Sequence, residues 1–458
     1  MALKYGERDA SVPMQCSNGD ISTVLLVLKQ SWALMLGMLL LMLGNGLQGS
    51  LLGVRGSLDG INSATLGLVM SAYFIGFLAG SWYSPVMLRR VGHVRVFAAL
   101  GSLASAAFIL YAVYVDPLSW FVLRLVVGFC FSGIYVVAES WLNHSATNET
   151  RGQTLSMYLI VQMSGMVLGQ LLLNAADPSG YNLFVLISVL VSISFAPILL
   201  STSPTPQHDA ARSMTLRRLI AVSPLACVGM FLLGGVFSAL FAMSSVYATA
   251  IGLSVASTSA FITAIFLGGL TLQYPIGWMS DRIDRRWLII AAAGVGMLTC
   301  IVAPFVGTQL QWLIACAFVI GGIASPMYGL LLAYANDYLD VEDMPSASSG
   351  LLFINGSGAV AGPVIVGRAM ETAGPASFFV IIGVLYACIA AYALWRMTQR
   401  EHIVVDSPAP YVAVTSRTSA FATGIAVELA DEAQLEALEE ADEDLEYRHS
   451  DEDPPAAG

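Results

Sequence analysis

TAIFLGGLTLQYPIGWMSDRIDRRW, Thr263 to Trp287, is apolar for most of its length and then places five charged residues in six positions, Asp281 to Arg286. The chain as a whole is 57% hydrophobic and 11% charged, so such a cluster requires a reason. A counterpart stands 192 positions earlier, SAYFIGFLAGSWYSPVMLRRVGHVR, beginning at Ser71. At that spacing Ala72 meets Ala264, Phe74 meets Phe266, Gly76 meets Gly268 and Arg90 meets Arg282. An apolar run that ends in a basic loop therefore occurs twice, and this predicts two related halves.

The rest of the 458-residue chain fits that reading. Its mean hydropathy of +0.73 does not describe a water-exposed surface, which carries roughly a quarter or more of charged residues. Apolar segments fall near 31–53, 64–87, 96–115, 118–142, 154–176, 181–201, 223–250, 255–280, 287–306, 309–334, 347–370 and 374–397. Each is close to the ~20 residues that a helix needs to span a bilayer. The expected fold is an all-α polytopic membrane protein, with twelve transmembrane helices in two six-helix pseudo-symmetric bundles. The splits at Asp116-Pro117 and Gly307-Thr308 rest on very short turns. Ahead of the first span no apolar stretch precedes a small-residue cleavage site, so that span is expected to direct insertion itself.

Basic residues set the expected orientation. One set of segment ends carries Lys29, Arg89, Arg90, Arg95, Arg151, Arg212, Arg217, Arg218, Arg282, Arg285, Arg286, Arg396 and Arg400, while the other holds little beyond Arg55 and Arg368. The first set is expected to be cytoplasmic, in an inner membrane, with both termini inside. The predicted organisation is a cytoplasmic N-terminal segment (1–30), a first bundle (31–201), a cytoplasmic linker (202–222), a second bundle (223–398) and a tail (399–458). The formal charge of -11 belongs to that tail: residues 428–453 hold thirteen Asp or Glu against Arg448, and the remainder of the chain is close to neutral. Like charges in such density predict a solvated, disordered cytoplasmic segment.

Several chemistries find no pattern. No Gly-x-x-x-x-Gly-Lys-Ser/Thr loop is present to cradle ATP. The five His are scattered, and the six Cys fit no metal or redox spacing, so the cysteines read as packing residues. Neither an enzyme, a cofactor, a metal nor a nucleic-acid partner is expected.

Gly277-x-x-x-Asp281-Arg282-x-x-Arg285-Arg286 resembles the loop signature of the major facilitator superfamily, with Asp284 where that signature has Gly. The first copy departs further, with Pro85, Arg89 and His93 at signature positions, while Arg90 and Gly92 fit. Arg124-x-x-x-Gly128-x-x-x-x-Gly133 resembles a second signature of the superfamily. Ala138-Glu139-Ser140, Arg151-Gly152, Tyr158, Gly169-Gln170 and Gln273-Tyr274-Pro275-Ile276-Gly277 are similar to its YcaD-type branch. The likeness covers roughly residues 30–398.

The resemblance implies that the charged loops latch the cytoplasmic side. A helix N-terminus attracts an anion, so Asp281 is expected at the start of segment five, after Arg151-Gly152. Arg89 has the wrong sign for that part and is expected near Glu342 or Asp343. Glu139 is matched with Arg90 or Arg95, and Asp337 with Arg282 or Arg285. The bland alternative is that these charges only obey the positive-inside rule. Arg124 lies about 9 Å along segment four at 1.5 Å per residue, and the resemblance implies conformational and proton coupling there. Snorkelling toward the headgroups is its alternative. Asn45, Gln48, Gln162, Tyr328 and Asn355 are the expected substrate contacts, since a polar group in the hydrocarbon normally faces protein or water. The alternative for each is an interhelical hydrogen bond. Gly165-x-x-x-Gly169 permits close helix packing.

The expected function is secondary active transport of a small organic solute by alternating access, as a monomer, with export driven by a proton gradient. The scarcity of charge suggests a neutral or amphipathic solute. An uptake permease or facilitator, and a non-transporting sensor or scaffold acting through the acidic tail, are the other readings.

Overall fold

The structure, a computed structural model, describes residues 18–145, 151–199, 215–306, 309–339 and 343–399, together with Tyr411, Thr423, Ala426, Val427 and Ala430. The regular elements among them are helical. The first half contains α1 (Asn18–Leu58), α2 (Ser63–Val91), α3 (His93–Val113), α4 (Pro117–Ser145), α5 (Arg151–Leu172) and α6 (Asn182–Leu199). A short α7 (Leu216–Val222) forms the last part of the linker. The second half contains α8 (Pro224–Ser238), a π-helical segment (Ala239–Met243), α9 (Ser244–Ala250), α10 (Val255–Ser280), α11 (Arg285–Val306), α12 (Leu310–Asn336), α13 (Met344–Ala373) and α14 (Ser377–Met397).

Among the described residues eleven spans are long and apolar enough to cross a membrane, and α6 adds a shorter apolar stretch. The run Pro224–Ala250 counts as one crossing, because α8, the π segment and α9 follow one another without a break. Together these are the twelve expected spans. Large apolar side chains such as Trp82, Leu118 and Phe305 stand exposed on the outside of the bundle, as a hydrocarbon solvent allows.

The duplication reaches down to single turns. Before α2, Gly60 takes a positive φ of 79°, and Asn62 accepts the N–H of Thr65 at 2.8 Å. Before α10, Gly252 takes φ 80°, and Ser254 accepts the N–H of Ser257 at 3.2 Å. Gly60 and Gly252 are 192 positions apart, as are Asn62 and Ser254. A glycine supplies the left-handed turn and a short polar side chain caps the exposed helix N–H groups. The far ends differ. Gly92, with φ 82°, separates α2 from α3, whereas Asp284 caps α11 by accepting the N–H of Arg286 at 2.9 Å. This is the position where the loop resemblance lacks its glycine.

Packing repeats too. In the first half α2 lies on α4, α1 on α5 and α6, and α3 on α4 and α6; in the second α10 lies on α12, α8 on α13 and α14, and α11 on α12 and α14. Gly76 abuts the backbone at Leu125 and Phe129, and Gly268 abuts it at Phe318 and Gly322. Gly165 meets the Leu39 carbonyl, and Gly358 meets that of Phe231. Apolar helices in lipid gain little from burial against each other, so association relies on such close backbone approach.

The halves meet at the face remote from the charged loops. Gly67 of α2 packs on Pro363 and Gly367 of α13, Gly53 of α1 on Ser245 and Val246 of α9, and the Ser259 hydroxyl of α10 donates to the Gln170 carbonyl of α5 at 2.6 Å.

Candidate functional site

Two regions hold the polar residues that the apolar background makes conspicuous. One lies at the charged-loop face, the other among the spans.

At the loop face, Arg285 is buried although it begins a helix. Its guanidinium is held by Asp337 at the end of α12, by the Ala333 carbonyl, by Ser280 Oγ at 3.1 Å and by Asp281 at 3.6 Å. Arg285 is thus the partner that Asp337 takes, while Arg282 remains exposed, 4.2 Å above the Trp278 ring, and donates to the Trp278 carbonyl. Asp281 is engaged by its own half and by the tail: its carboxylate accepts the backbone N–H of Tyr411 at 3.1 Å. The Tyr411 ring packs on Gly277, and its hydroxyl points to the Pro326 carbonyl at 3.5 Å. Burial, and next the Asp281 charge, push the Tyr411 phenol well above its ordinary pKa, so it stays a donor. Thr423, Ala426 and Val427 are buried as well. At these positions the chain after Gln399 is docked rather than solvated, because aromatic and small side chains here precede the acidic run and find an apolar surface.

Arg89, Arg90 and Arg95 are exposed and make no ion pair among the described residues. Asp343 pairs with Arg218 at 2.7 Å, and Glu342 lies outside the described residues. Glu139 is 2% exposed and accepts the Tyr158 hydroxyl at 3.1 Å. His93, at the start of α3, is buried with a ring nitrogen 3.0 Å from Ser140 Oγ.

Among the spans, the expected residues are all buried, and their partners separate them. Asn45 donates to the Tyr135 hydroxyl at 3.1 Å, bridging α1 and α4. Asn355 donates to the Met230 carbonyl at 2.9 Å, tying α13 to α8. Gln162 lies beside the Tyr158 hydroxyl, and the Tyr328 hydroxyl has no partner among the described residues. Gln48 and Arg124 come together: Arg124 Nη1 donates to Gln48 Oε1 at 3.0 Å. The guanidinium also sits over the Tyr73 ring, 5.6 Å from its centroid, with Nη2 on Met70 Sδ. At 4% exposure Arg124 is enclosed by α1, α2 and α4 and does not snorkel outward. Gln170 links Ser50 and the Gly46 carbonyl, bracing α1 against α5 beside the seam between halves.

Sequence reasoning passed over Tyr135, Met70, Tyr73 and Tyr411. Tyr73 lay within the quoted repeat, and its three-residue spacing from Met70 marks one helix face. Nothing short of the folded chain marks Tyr411. Among the described residues no group of His, Cys, Asp or Glu has the arrangement of a metal site.

The profile of the Major Facilitator Superfamily matches residues 34–262 and 225–427. The uncharacterised MFS-type transporter YcaD of Salmonella arizonae is 24% identical over 351 residues, covering 76% of this chain and 91% of its own length. The uncharacterised MFS-type transporter Ent638_1421 of Enterobacter sp. is likewise 24% identical over 352 residues, with the same coverage of each chain. Among solved structures, a mutant form of the nucleoside transporter NupG is similar with a TM-score of 0.70 at 14% identity, over 80% of this chain and 100% of that one. A bacterial homologue of the human lysosomal transporter Spinster, solved inward-facing and unoccupied, gives 0.62 at 13% identity, over 88% and 97%.

Proposed function

The chain belongs to the Major Facilitator Superfamily, and on that premise we propose that it exports a small organic solute across the inner membrane, driven by protons. The family is one of secondary transporters. Its two bundles, 31–201 and 223–398, are the moving bodies; 202–222 joins them on the cytoplasmic side, where 1–30 and 399–458 also lie. The carrier works as a monomer.

The observation that carries this reading is the seam between halves. It joins small residues, Gly53, Gly67, Gly367 and Ser259, at the end of each bundle remote from the charged loops. Such contacts are close but individually weak, and two conformations interconvert when their difference is a few kcal/mol. With the basic loops cytoplasmic, the present state is closed outward. In the opposite state Asp281 leaves Tyr411 for the start of α5, Arg89 approaches the start of α13, and Arg90, Arg95, Glu139, Arg282, Arg285 and Asp337 complete the gate. Asn45, Gln48, Gln162, Tyr328 and Asn355 contact the solute, and Arg124 couples its binding to the seam.

Proton coupling is supported by Glu139, a carboxylate buried beneath the loop face and bonded to a neighbour that can donate. The test is solute flux in proteoliposomes under an imposed pH gradient, screened across metabolites and drugs. Flux that follows the gradient, in the export sense, supports the proposal; flux indifferent to pH reduces it to a facilitator.

A further inference from the structure

We propose that Arg124 and Gln48 form a carboxylate-binding site, and that the transported solute is an organic monoanion. The inference rests on the transport reading and names its substrate class. It departs from the neutral or amphipathic solute that the scarcity of charge suggests.

The partners of Arg124 are all neutral: an amide oxygen, a thioether and an aromatic ring. A cation removed from water without an opposite charge is strongly disfavoured, so buried charges are paired or ligated. Here the shortage has a sign. Arg124 Nε, Gln48 Nε2 and the Tyr111 hydroxyl are buried without partners among the described residues. The first two can only donate, and the third stands within electrostatic reach of the guanidinium. What the cluster lacks is an acceptor.

The occupied positions narrow its shape. Gln48 takes Nη1. The remaining edge of the guanidinium, Nε with Nη2, presents two parallel N–H bonds, the fork that a carboxylate fits side-on. Met70 Sδ is a weak acceptor on a flexible side chain and yields to an oxygen. Gln48, bonded to Nη1 at the opposite corner, holds the guanidinium so that this edge stays open. One negative charge balances one guanidinium; a dianion would leave a net charge in the spans.

The site is also wired to the seam. Met70 stands one turn from Gly67, which packs on α13, and Gln48 precedes Gly49, which faces the Phe241 carbonyl of the π segment. Displacement of Met70 by a carboxylate therefore acts on the turn of α2 that closes the halves.

The test uses the full-length protein purified in detergent, at constant ionic strength, with benzoate as probe and benzamide as its neutral counterpart. Benzoate raises the unfolding midpoint and benzamide does not. Arg124→Gln weakens the benzoate effect about tenfold or more, as loss of a charge-assisted pair requires. Sulfate, a dianion, is weaker than benzoate. A second variant decides independently of how the probe's ring is accommodated. Gln48→Glu places a carboxylate beside Arg124, and must raise the midpoint of the ligand-free protein above that of Gln48→Met. A midpoint that falls instead, or equal action of benzoate and benzamide that survives Arg124→Gln, overturns the site. Stabilisation by benzoate without any flux leaves the site and removes transport. Solute flux untouched by Arg124→Gln and Gln48→Glu does the reverse.

Discussion

Gly67 of α2 and Gly367 of α13 are packed so tightly that a Cβ on Gly67 would stand 3.2 Å from the Gly367 Cα and inside the envelope of the Pro363 carbonyl oxygen. Neither helix can yield without moving a backbone, and the two backbones belong to different halves.

Gly67→Leu therefore wedges the seam open. A cysteine introduced at Ser259, buried at the same seam, reacts slowly with an impermeant maleimide in the parent. It reacts about tenfold faster once the closed state loses ~1.4 kcal/mol. An unchanged labelling rate would mean that the halves do not separate here.

Arg285 and Asp337 are 4% and 12% exposed as side chains. Removing one partner of a buried pair strands the other charge and costs about 3–5 kcal/mol. Asp337→Asn should lower the detergent unfolding midpoint sharply. Asp281→Asn, at a side chain 46% exposed, should change it little, since exposed pairs contribute about 0–1 kcal/mol. Its effect belongs to conformation: if cytoplasmic closure is the same in Asp281→Asn, the proposed latch is wrong.

Glu139→Gln removes the buried carboxylate while keeping an acceptor for Tyr158. Export driven by a pH gradient is expected to fall to the level without a gradient, while solute counterflow continues. Retained gradient-driven accumulation would assign the coupling elsewhere.

Deleting residues 401–458 takes away Tyr411 and frees Asp281 and Gly277. A carrier keeps its flux, at or above the parental level. A scaffold that works through the acidic tail loses its function, so abolished activity with intact folding would favour that reading.

The spans were legible because hydrocarbon demands helices of one length and water demands charge at their ends. The break after Val113 shows the principle: two apolar runs joined by Asp116-Pro117 separate where a cap and a proline coincide, and Asp116 Oδ1 accepts the Ser119 N–H at 3.0 Å. The duplication was legible because Gly76 and Gly268 have no substitute where backbones touch. Gln48 and Arg124 stood out singly, as polar groups in an apolar run. Their meeting did not, since pairing depends on how α1 rotates against α4. Asn355 illustrates the opposite case: its amide is satisfied by Met230 of a neighbouring helix, a geometry no spacing encodes. Helix α7 was hidden in the linker because seven residues carry too little periodicity.

The π segment Ala239–Met243 has a mechanical corollary. A π turn holds one more residue than an α turn. Should it rewind into regular α-helix, α9 would swivel by roughly 100°, the angle one residue subtends. That swivel would carry Ser245 and Val246 off Gly53 without translating the rest of the crossing. The helix holds a screw thread already cut by one pitch mark, positioned where the two bundles clasp.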